Sequence, residues 1–415
     1  MKKLRTAELL TLNAYWVGLS FKWNALHPII LPAILLNYVP EARKNTYLGL
    51  LTFIGLLLAM MIQPLAGAIS DGWTSRWGRR RPLMVIGTLF DFLFLALLAW
   101  AGNLTWLIIG YIGLQCSSNI AQGPAQGLLP DRVPPEQLGA ASSWKNVMDM
   151  ASLIVASLLA GRLLDPETRN PAMIMLVLLG TVAISTAITV LGTQEESSLP
   201  VKGENRPGLV SFGRDLFHIN LGANNAYGWL IAERGLFLLG IYGVQAFAQY
   251  YLQDVIRVAD PPKQTGDLLA VLTLSLVALV LVGGWLTDTF GAKRTLYLAS
   301  ILASGGMLLM LFPRTMTGLM LFSGVLGAGI GLFLTANWAL ANRLAPGEEA
   351  GKFLGLTNLA TAGSGALARL EGPALDWLNG VWPDQWIGYT GLFIFGTFCI
   401  LLSMVLLRKI DYRTP

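Results

Sequence analysis

The chain has 415 residues, 54% of them hydrophobic and only 13% charged, with a mean hydropathy of +0.57. That balance excludes an ordinary soluble domain. The net charge of +5 has no basic face or domain behind it outside short loops, which excludes a nucleic-acid binder.

Apolar runs follow one another along the whole chain. At about 20 residues per membrane crossing they predict twelve transmembrane helices. These lie at roughly 9–37, 46–69, 83–101, 105–129, 139–163, 172–191, 229–256, 268–286, 295–312, 317–342, 353–378 and 386–407. Lys2, Lys3 and Arg5 precede the first run, which is too long for a signal-peptide core and is expected to be retained. Assigning loops alternately puts 19 of the 29 Lys and Arg on one side, 7 on the other and 3 within spans. Basic loops stay inside, so both termini are expected in the cytoplasm, in the cytoplasmic or plasma membrane of a prokaryote. The longest polar interval, 192–228, carries Glu195, Glu196, Pro200, Lys202, Glu204, Arg206 and Pro207. It is expected as a cytoplasmic linker, its later part either lying on the membrane surface or simply solvated, between six-helix bundles over 1–191 and 229–415.

Two motifs recur. Between spans two and three stands Gly67…Asp71…Arg76-Trp77-Gly78-Arg79-Arg80-Arg81-Pro82, and between spans eight and nine Gly284…Asp288…Gly291-Ala-Lys293-Arg294. After span four comes Pro134-Pro-Glu136-Gln-Leu-Gly139, and after span ten Pro346-Gly-Glu348-Glu-Ala-Gly351. The offsets are 213 and 212 residues, which implies parallel repeats of six helices.

An all-α membrane protein of two pseudo-symmetric six-helix halves, with a Gly-x-x-x-Asp…Gly-Arg-Arg turn between spans two and three and its echo between spans eight and nine, resembles the major facilitator superfamily. The resemblance implies that the turns are gates, assigning that role to Asp71, Arg79, Arg80, Asp288 and Arg294. In that family the Asp pairs with loop basic residues and with the amino-terminal dipole of a helix in the other half. Ser70-Asp71…Arg76-Trp-Gly-Arg-Arg-Arg-Pro82 and Asn119-Ile-Ala-Gln122-Gly123-Pro124-Ala-Gln126 resemble the sucrose and glycoside symporter branch. Plant-type carriers of that branch have an Asp four residues before the Asn and an Arg two after the Gly-Pro. Gln115 and Gln126 stand there in this chain, so the fold carries over while proton-coupled sucrose uptake does not follow from it.

Within the spans, polar residues at helical spacing form stripes: Asn13, Ser20, Asn24 and His27 in span one; Gln115, Ser118, Asn119, Gln122 and Gln126 in span four; Tyr242, Gln245, Gln249 and Gln253 in span seven. The family places these three helices around a central cavity. Amides offer donors and acceptors together, which suits a neutral hydroxylated solute. The alternative is plain interhelical hydrogen bonding. Asn24, Gln115, Asn119, Gln122, Gln126, Gln245, Gln249 and Arg369 are the expected solute ligands. Asp149, Asp91 and His27 are the expected coupling groups, because ionisable residues at membrane depth need a reason. Asp149 has Lys145 one turn earlier, which leaves a structural pair open. Lys22 meets Asp91 or Asp149, or snorkels to the interface. Pro28 bends its helix beside His27.

His27 and His218 are the only histidines, and Cys116 and Cys399 both fall in apolar runs, so no metal site, cofactor or disulfide framework is expected. With no nucleotide-binding loop and no nucleophile–base arrangement, neither an ATP-driven pump nor an enzyme is expected. The expected activity is secondary transport of a small polar solute, a sugar or glycoside, by alternating access with coupling to H⁺ or Na⁺. The expected partners are that solute, the ion and the lipid bilayer. The alternatives are a transporter-shaped receptor, assembly factor or scaffold, and a carrier of an unrelated solute.

Overall fold

Inside a bilayer a backbone has no hydrogen-bond partner but itself, so long apolar runs fold as helices. In the computed structural model, residues 3–165, 167–193, 195, 225–345 and 350–410 are described, and they are helices and connecting turns with no strand among them. The helices are α1 Thr6–Ala25, α2 Leu31–Leu35, α3 Lys44–Gly72, α4 Arg81–Ala99, α5 Leu104–Arg132, α6 Leu138–Leu163 and α7 Ala172–Gly192. After residue 224 come α8 Asn225–Tyr251, α9 Pro261–Phe290, α10 Ala292–Leu309, α11 Met316–Leu344, α12 Ala350–Arg369, α13 Glu371–Val381 and α14 Ile387–Leu406.

Among the described residues, eight helical segments are long and apolar enough to cross a membrane, those built on α3, α4, α6, α7, α8, α9, α11 and α14. Of the other long helices, α1 carries Glu8, Asn13, Lys22 and Asn24. Helix α5 carries its amides, α10 begins with Lys293 and Arg294, and α12 ends at Arg369. Span one is not a single α-helix: α1 and α2 are joined by a π-helical turn, Leu26–Ile30, that contains His27 and Pro28. Proline has no N–H to give, and a wider turn accommodates the carbonyls it leaves free. Helix α8 ends in the same way, in a π turn over Leu252–Ile256. Span eleven breaks at Leu370 between α12 and α13.

The two repeated turns share one backbone feature, a left-handed glycine, although the first spans 73–80 and the second only Gly291. Gly78 has φ +93° and Gly291 φ +89°, the left-handed region that glycine enters without strain. The later Pro-Gly-Glu turn, 346–349, lies outside the described residues, as does most of the expected linker.

By internal packing the chain divides into two units, Met1–Tyr38 with Ile54–Phe217, and Val39–Phe53 with His218–Pro415. The expected division placed all of 1–191 in one bundle, whereas the first turns of α3 group with the later helices. The reason is polar: Lys44 pairs with Asp254 at 2.6 Å, and Asn45 donates to Asp376 at 2.8 Å. In the first unit, Leu12, Tyr15, Trp16, Met84, Ala125 and Ala141 form the heart of a hydrophobic core from α1, α4, α5 and α6. A Cβ at Gly123 of α5 would stand 2.4 Å from the Gln63 carbonyl of α3, so these helices touch backbone to backbone. In the second unit, Phe237 of α8 and Phe333 of α11 stack with centroids 3.6 Å apart.

A polar interior in each unit and a charged turn

In the first unit, Gln115 of α5 donates from Nε2 to the Tyr111 hydroxyl at 2.8 Å and lies 3.3 Å from His27 Nε2. The Tyr111 hydroxyl is 3.0 Å from the same ring nitrogen, and Trp23 stacks on the imidazole at 4.8 Å. The imidazole Nε2 is thus shared between the Tyr111 hydroxyl and the Gln115 amide. Gln115 is 2% exposed and Asn119 3%, and Asn119 Nδ2 is already committed to the Gln115 carbonyl at 2.7 Å. Asn24 and Gln122 are half-buried and make no side-chain hydrogen bond among the described residues. Gln126 is exposed. Asn13 leaves the expected stripe: its Nδ2 bonds the Leu9 and Ala141 carbonyls at 3.0 and 3.1 Å, holding α1 to α6.

The two expected carboxylates have protein partners. Asp91 of α4 forms an ion pair with Lys22 and accepts from Ser117 and, at 2.8 Å, from Ser118. Lys22 and Asp91 are each 1% exposed, so Lys22 meets Asp91 and does not snorkel. Asp149 pairs with Lys145 at 2.9 Å and accepts from Ser20 at 2.5 Å, while the Lys145 ammonium sits 4.1 Å from the Trp16 ring centroid. His27, Asp91 and Asp149 thus each have their own polar partners, with Trp23 between the first two: it stacks on the imidazole and its ring centroid stands 5.1 Å from the Lys22 ammonium.

The arginine turn is a further network. Arg80 pairs with Asp71 at 2.5 Å and with Asp131 at 2.9 Å, and Arg79 pairs with Asp131 at 2.7 Å. Glu195, just past α7, accepts from the backbone N–H groups of Arg79 and Arg80 at 2.9 Å and of Arg81 at 3.3 Å. A carboxylate there satisfies the free donors at the start of α4 and complements its dipole. A Cβ on Gly78 would lie 2.3 Å from that carboxylate, a second reason for glycine. The sequence reading passed over Glu195 as linker; its only signal was a carboxylate directly after a span. The second turn builds nothing comparable, because Asp288 and Arg294 are exposed and form no ion pair among the described residues. In the repeat, the residue 212 positions after Asp131 is Arg343, a base where the first turn has an acid.

In the second unit, Gln249 is 2% exposed, whereas Gln245 is half-buried and makes no side-chain hydrogen bond among the described residues. Gln253 reaches Glu41 at 3.4 Å, and Arg369 donates to the Tyr242 carbonyl at 3.4 Å. Sequence reasoning missed a buried cluster here: Asp254 accepts from Lys44 at 2.6 Å and from the Tyr389 hydroxyl at 2.8 Å. Lys44 and Asp254 are 210 residues apart, and no local spacing links them. A groove of about 440 Å³ in the first unit is lined by Phe21, Trp144, Met148, Val155 and other apolar side chains of α1, α6 and α7. Ser152 and Thr181 also line it, and none of the expected amide ligands does.

The described residues hold no cluster of His, Cys, Asp and Glu able to bind a metal. The family model for the Major Facilitator Superfamily matches residues 21–369 and, in a second match, 261–415. The sucrose transport protein SUC4 of Arabidopsis thaliana is 26% identical over 145 residues, covering 31% of this chain and 28% of that protein. The general alpha-glucoside permease of Schizosaccharomyces pombe is 28% identical over 121 residues, covering 25% of this chain and 22% of its own. The chain thus aligns with only about a quarter of the length of these relatives. A bacterial homolog of the human lysosomal transporter Spinster, solved in an inward-facing and occupied conformation, superposes with a TM-score of 0.77 at 13% identity. That match covers 99% of this chain and 97% of the other, and at this identity it shows the fold alone.

Proposed function

The chain belongs to the Major Facilitator Superfamily, and from that premise we propose that it is a secondary transporter of a sugar or glycoside. It would span the membrane twelve times with both termini in the cytoplasm, move its solute by alternating access between halves separated near 192–228, and couple that movement to H⁺ or Na⁺. The observation that carries the solute class is the hydroxyl-, amide- and imidazole-lined interior of the first unit. Asn24 keeps unused donors and acceptors one turn from His27, and Gln122 does so two turns from Gln115, in a group joined through Tyr111. Such groups match the hydroxyls of a neutral sugar, and Trp23 adds an aromatic face. The sucrose and alpha-glucoside transporters among the aligned relatives support the same class. Gln245, Gln249 and Arg369 would serve the solute from the second unit.

Gln115 and Gln126, at the positions of the charges that plant-type carriers use, argue against copying those carriers' proton chemistry. Asp149 is the better placed of the two expected acids for coupling. Its side chain is 23% exposed, whereas that of Asp91 is 2% exposed and holds Lys22 and two serines. His27 would orient solute together with Gln115. The Asp71–Arg80–Asp131 network with Glu195 would be the cytoplasmic gate. The relatives named above come from a plant and a yeast, which lends the expected prokaryotic membrane no support.

The experiment is a thermal-unfolding screen of the purified protein against mono- and disaccharides and glycosides. A ligand of the folded state raises the midpoint by an amount that grows with its concentration over Kd. Stabilisation by a sugar that is lost in Gln122→Ala and Asn24→Ala supports the reading. Sugars without effect, beside a shift from a lipid or a nucleoside, would replace it.

A further inference from the structure

The second unit contains a carboxyl that none of these roles uses. Glu233 of α8 has no exposed surface. Its Oε2 accepts from Asn337 Nδ2 of α11 at 2.8 Å, and its Oε1 has no hydrogen-bond partner. Asn337, also without exposed surface, accepts at Oδ1 from Arg234 Nη1 at 2.6 Å. Arg234 donates from Nε to Thr361 of α12 at 2.9 Å, and its guanidinium carbon stands 5.3 Å from the Trp338 ring centroid. No ion pair within 4.0 Å joins Glu233 to Arg234 or to any other described cation. Neighbouring residues on a helix point about 100° apart, so the two side chains diverge and the Asn337 amide stands between them. One turn along both helices, Phe237 and Phe333 stack and close that flank.

An ionised carboxylate in this place has one oxygen without a donor and its nearest cation reached only through an amide. Burying an uncompensated charge costs far more than burying a hydroxyl that lacks an acceptor. The neutral acid fits the geometry seen: Oε2 is the carbonyl oxygen that takes the Asn337 proton, and Oε1 carries the acid hydrogen. We propose that Glu233 is a proton-binding site, loaded in the conformation described, with Arg234 and Asn337 arranged to stabilise the carboxylate after release. The step balances as a carboxylic acid giving a carboxylate and a proton passed to water, with no bond to carbon changed. A metal cation suits the place poorly, since the site offers a single carboxylate and the Asn337 oxygen is already taken by Arg234. The other groups around it are neutral or distant. Tyr227 is bonded to the Phe353 carbonyl and Thr357, and Lys409 lies over Trp229 one turn before the acid. Glu371 meets α8 at Gly243, ten residues further on.

The use of this proton in transport rests on the transporter reading above; its binding does not. The test is infrared titration of the full-length protein in lipid, comparing wild type with Glu233→Gln. The variant keeps the Asn337 contact and removes the acid. The expected result is a protonated-carboxyl C=O band in the wild type at neutral pH that disappears as pH rises and is missing from Glu233→Gln. Glu233→Asp, as a second variant, restores a band. A wild-type band unchanged by Glu233→Gln, or no such band at neutral pH, overturns the proposal. In proteoliposomes Glu233→Gln is expected to keep counterflow of radiolabelled sucrose and to lose its accumulation under a pH gradient; retained accumulation overturns the role in coupling. If the wild type shows no sucrose counterflow, the sugar reading fails while the infrared result still decides the proton site.

Discussion

The Lys22–Asp91 pair invites a double-mutant cycle. Lys22→Met leaves a carboxylate 1% exposed, still bonded to the Ser117 and Ser118 hydroxyls. Asp91→Leu leaves an ammonium 1% exposed whose remaining side-chain partners are the Ser118 hydroxyl and the face of Trp23. Breaking a buried pair from one side typically costs about 3–5 kcal/mol. Because the orphaned carboxylate keeps two donors, Lys22→Met is expected near the lower figure and Asp91→Leu near the upper. Removing both charges together leaves no buried ion, so the double variant is expected to be more stable than either single one, a non-additivity of about 5 kcal/mol or more by the same reasoning. A thiol-reactive dye reads the unfolding, since Cys116 is half-buried and Cys399 buried, and both become reactive as the helices separate. Denaturant midpoints in mixed micelles convert to the cycle. A double variant as unstable as the sum of the singles would refute the reasoning, because the pair would then contribute nothing that depends on both members.

Four other outcomes follow from single contacts. Glu195→Ala should destabilise the arginine turn by roughly 0.3–2 kcal/mol, the range for a carboxylate at a helix amino terminus. Faster proteolysis after Arg79, Arg80 or Arg81 would register it, and cleavage at the wild-type rate would count against the cap. Tyr389→Phe removes the hydroxyl that donates to Asp254 at 2.8 Å and should cost about 1.5–3 kcal/mol, as expected for a bond to a charged group, read by the same dye. Gln115→Ala should weaken sugar binding at least tenfold in a titration while leaving the dye midpoint within about 1 kcal/mol, because it removes one hydrogen-bonding node from a site and not a charge from a core. Asp165, in the loop after α6, is held below the usual carboxylate range by the backbone N–H groups of Thr168 and Glu167. Its contribution to loop order is therefore complete above the ordinary aspartate range and disappears as pH falls through the lowered value. Protection of the Thr168 and Glu167 amides, taken against their intrinsic exchange rates at each pH, should fall in acid, and Asp165→Asn should abolish that loss.

The helical architecture was readable because apolar length, glycine and charge act locally. Gly78 and Gly291 both adopt positive φ where the repeat placed them, and Lys22 found one of its two candidate acids. Contacts set by tertiary packing were not readable. Lys44 and Asp254 stand 210 residues apart, and the Glu195 carboxylate reaches a helix start 114 residues earlier. A stripe drawn at 100° per residue also does not show where its members point their hydrogen bonds. Asn13 turns to α6, Asn119 to its own helix, and Gln126 to the surface, which leaves Asn24 and Gln122 as the half-buried amides of those two stripes that bond no described side chain or backbone group. Glu233 had no readable role in the sequence, because its partner Asn337 lies 104 residues away. Periodicity finds faces; it does not find which face meets which.

The account rests most directly on sugar movement, and reconstituted uptake measures it. Purified protein in proteoliposomes, given radiolabelled sucrose or maltose with and without an imposed pH or sodium gradient, should exchange the sugar and accumulate it under one of the gradients. Gln122→Ala should reduce both. Liposomes with protein that take up no more of any sugar than empty ones, under every gradient, would contradict the central claim.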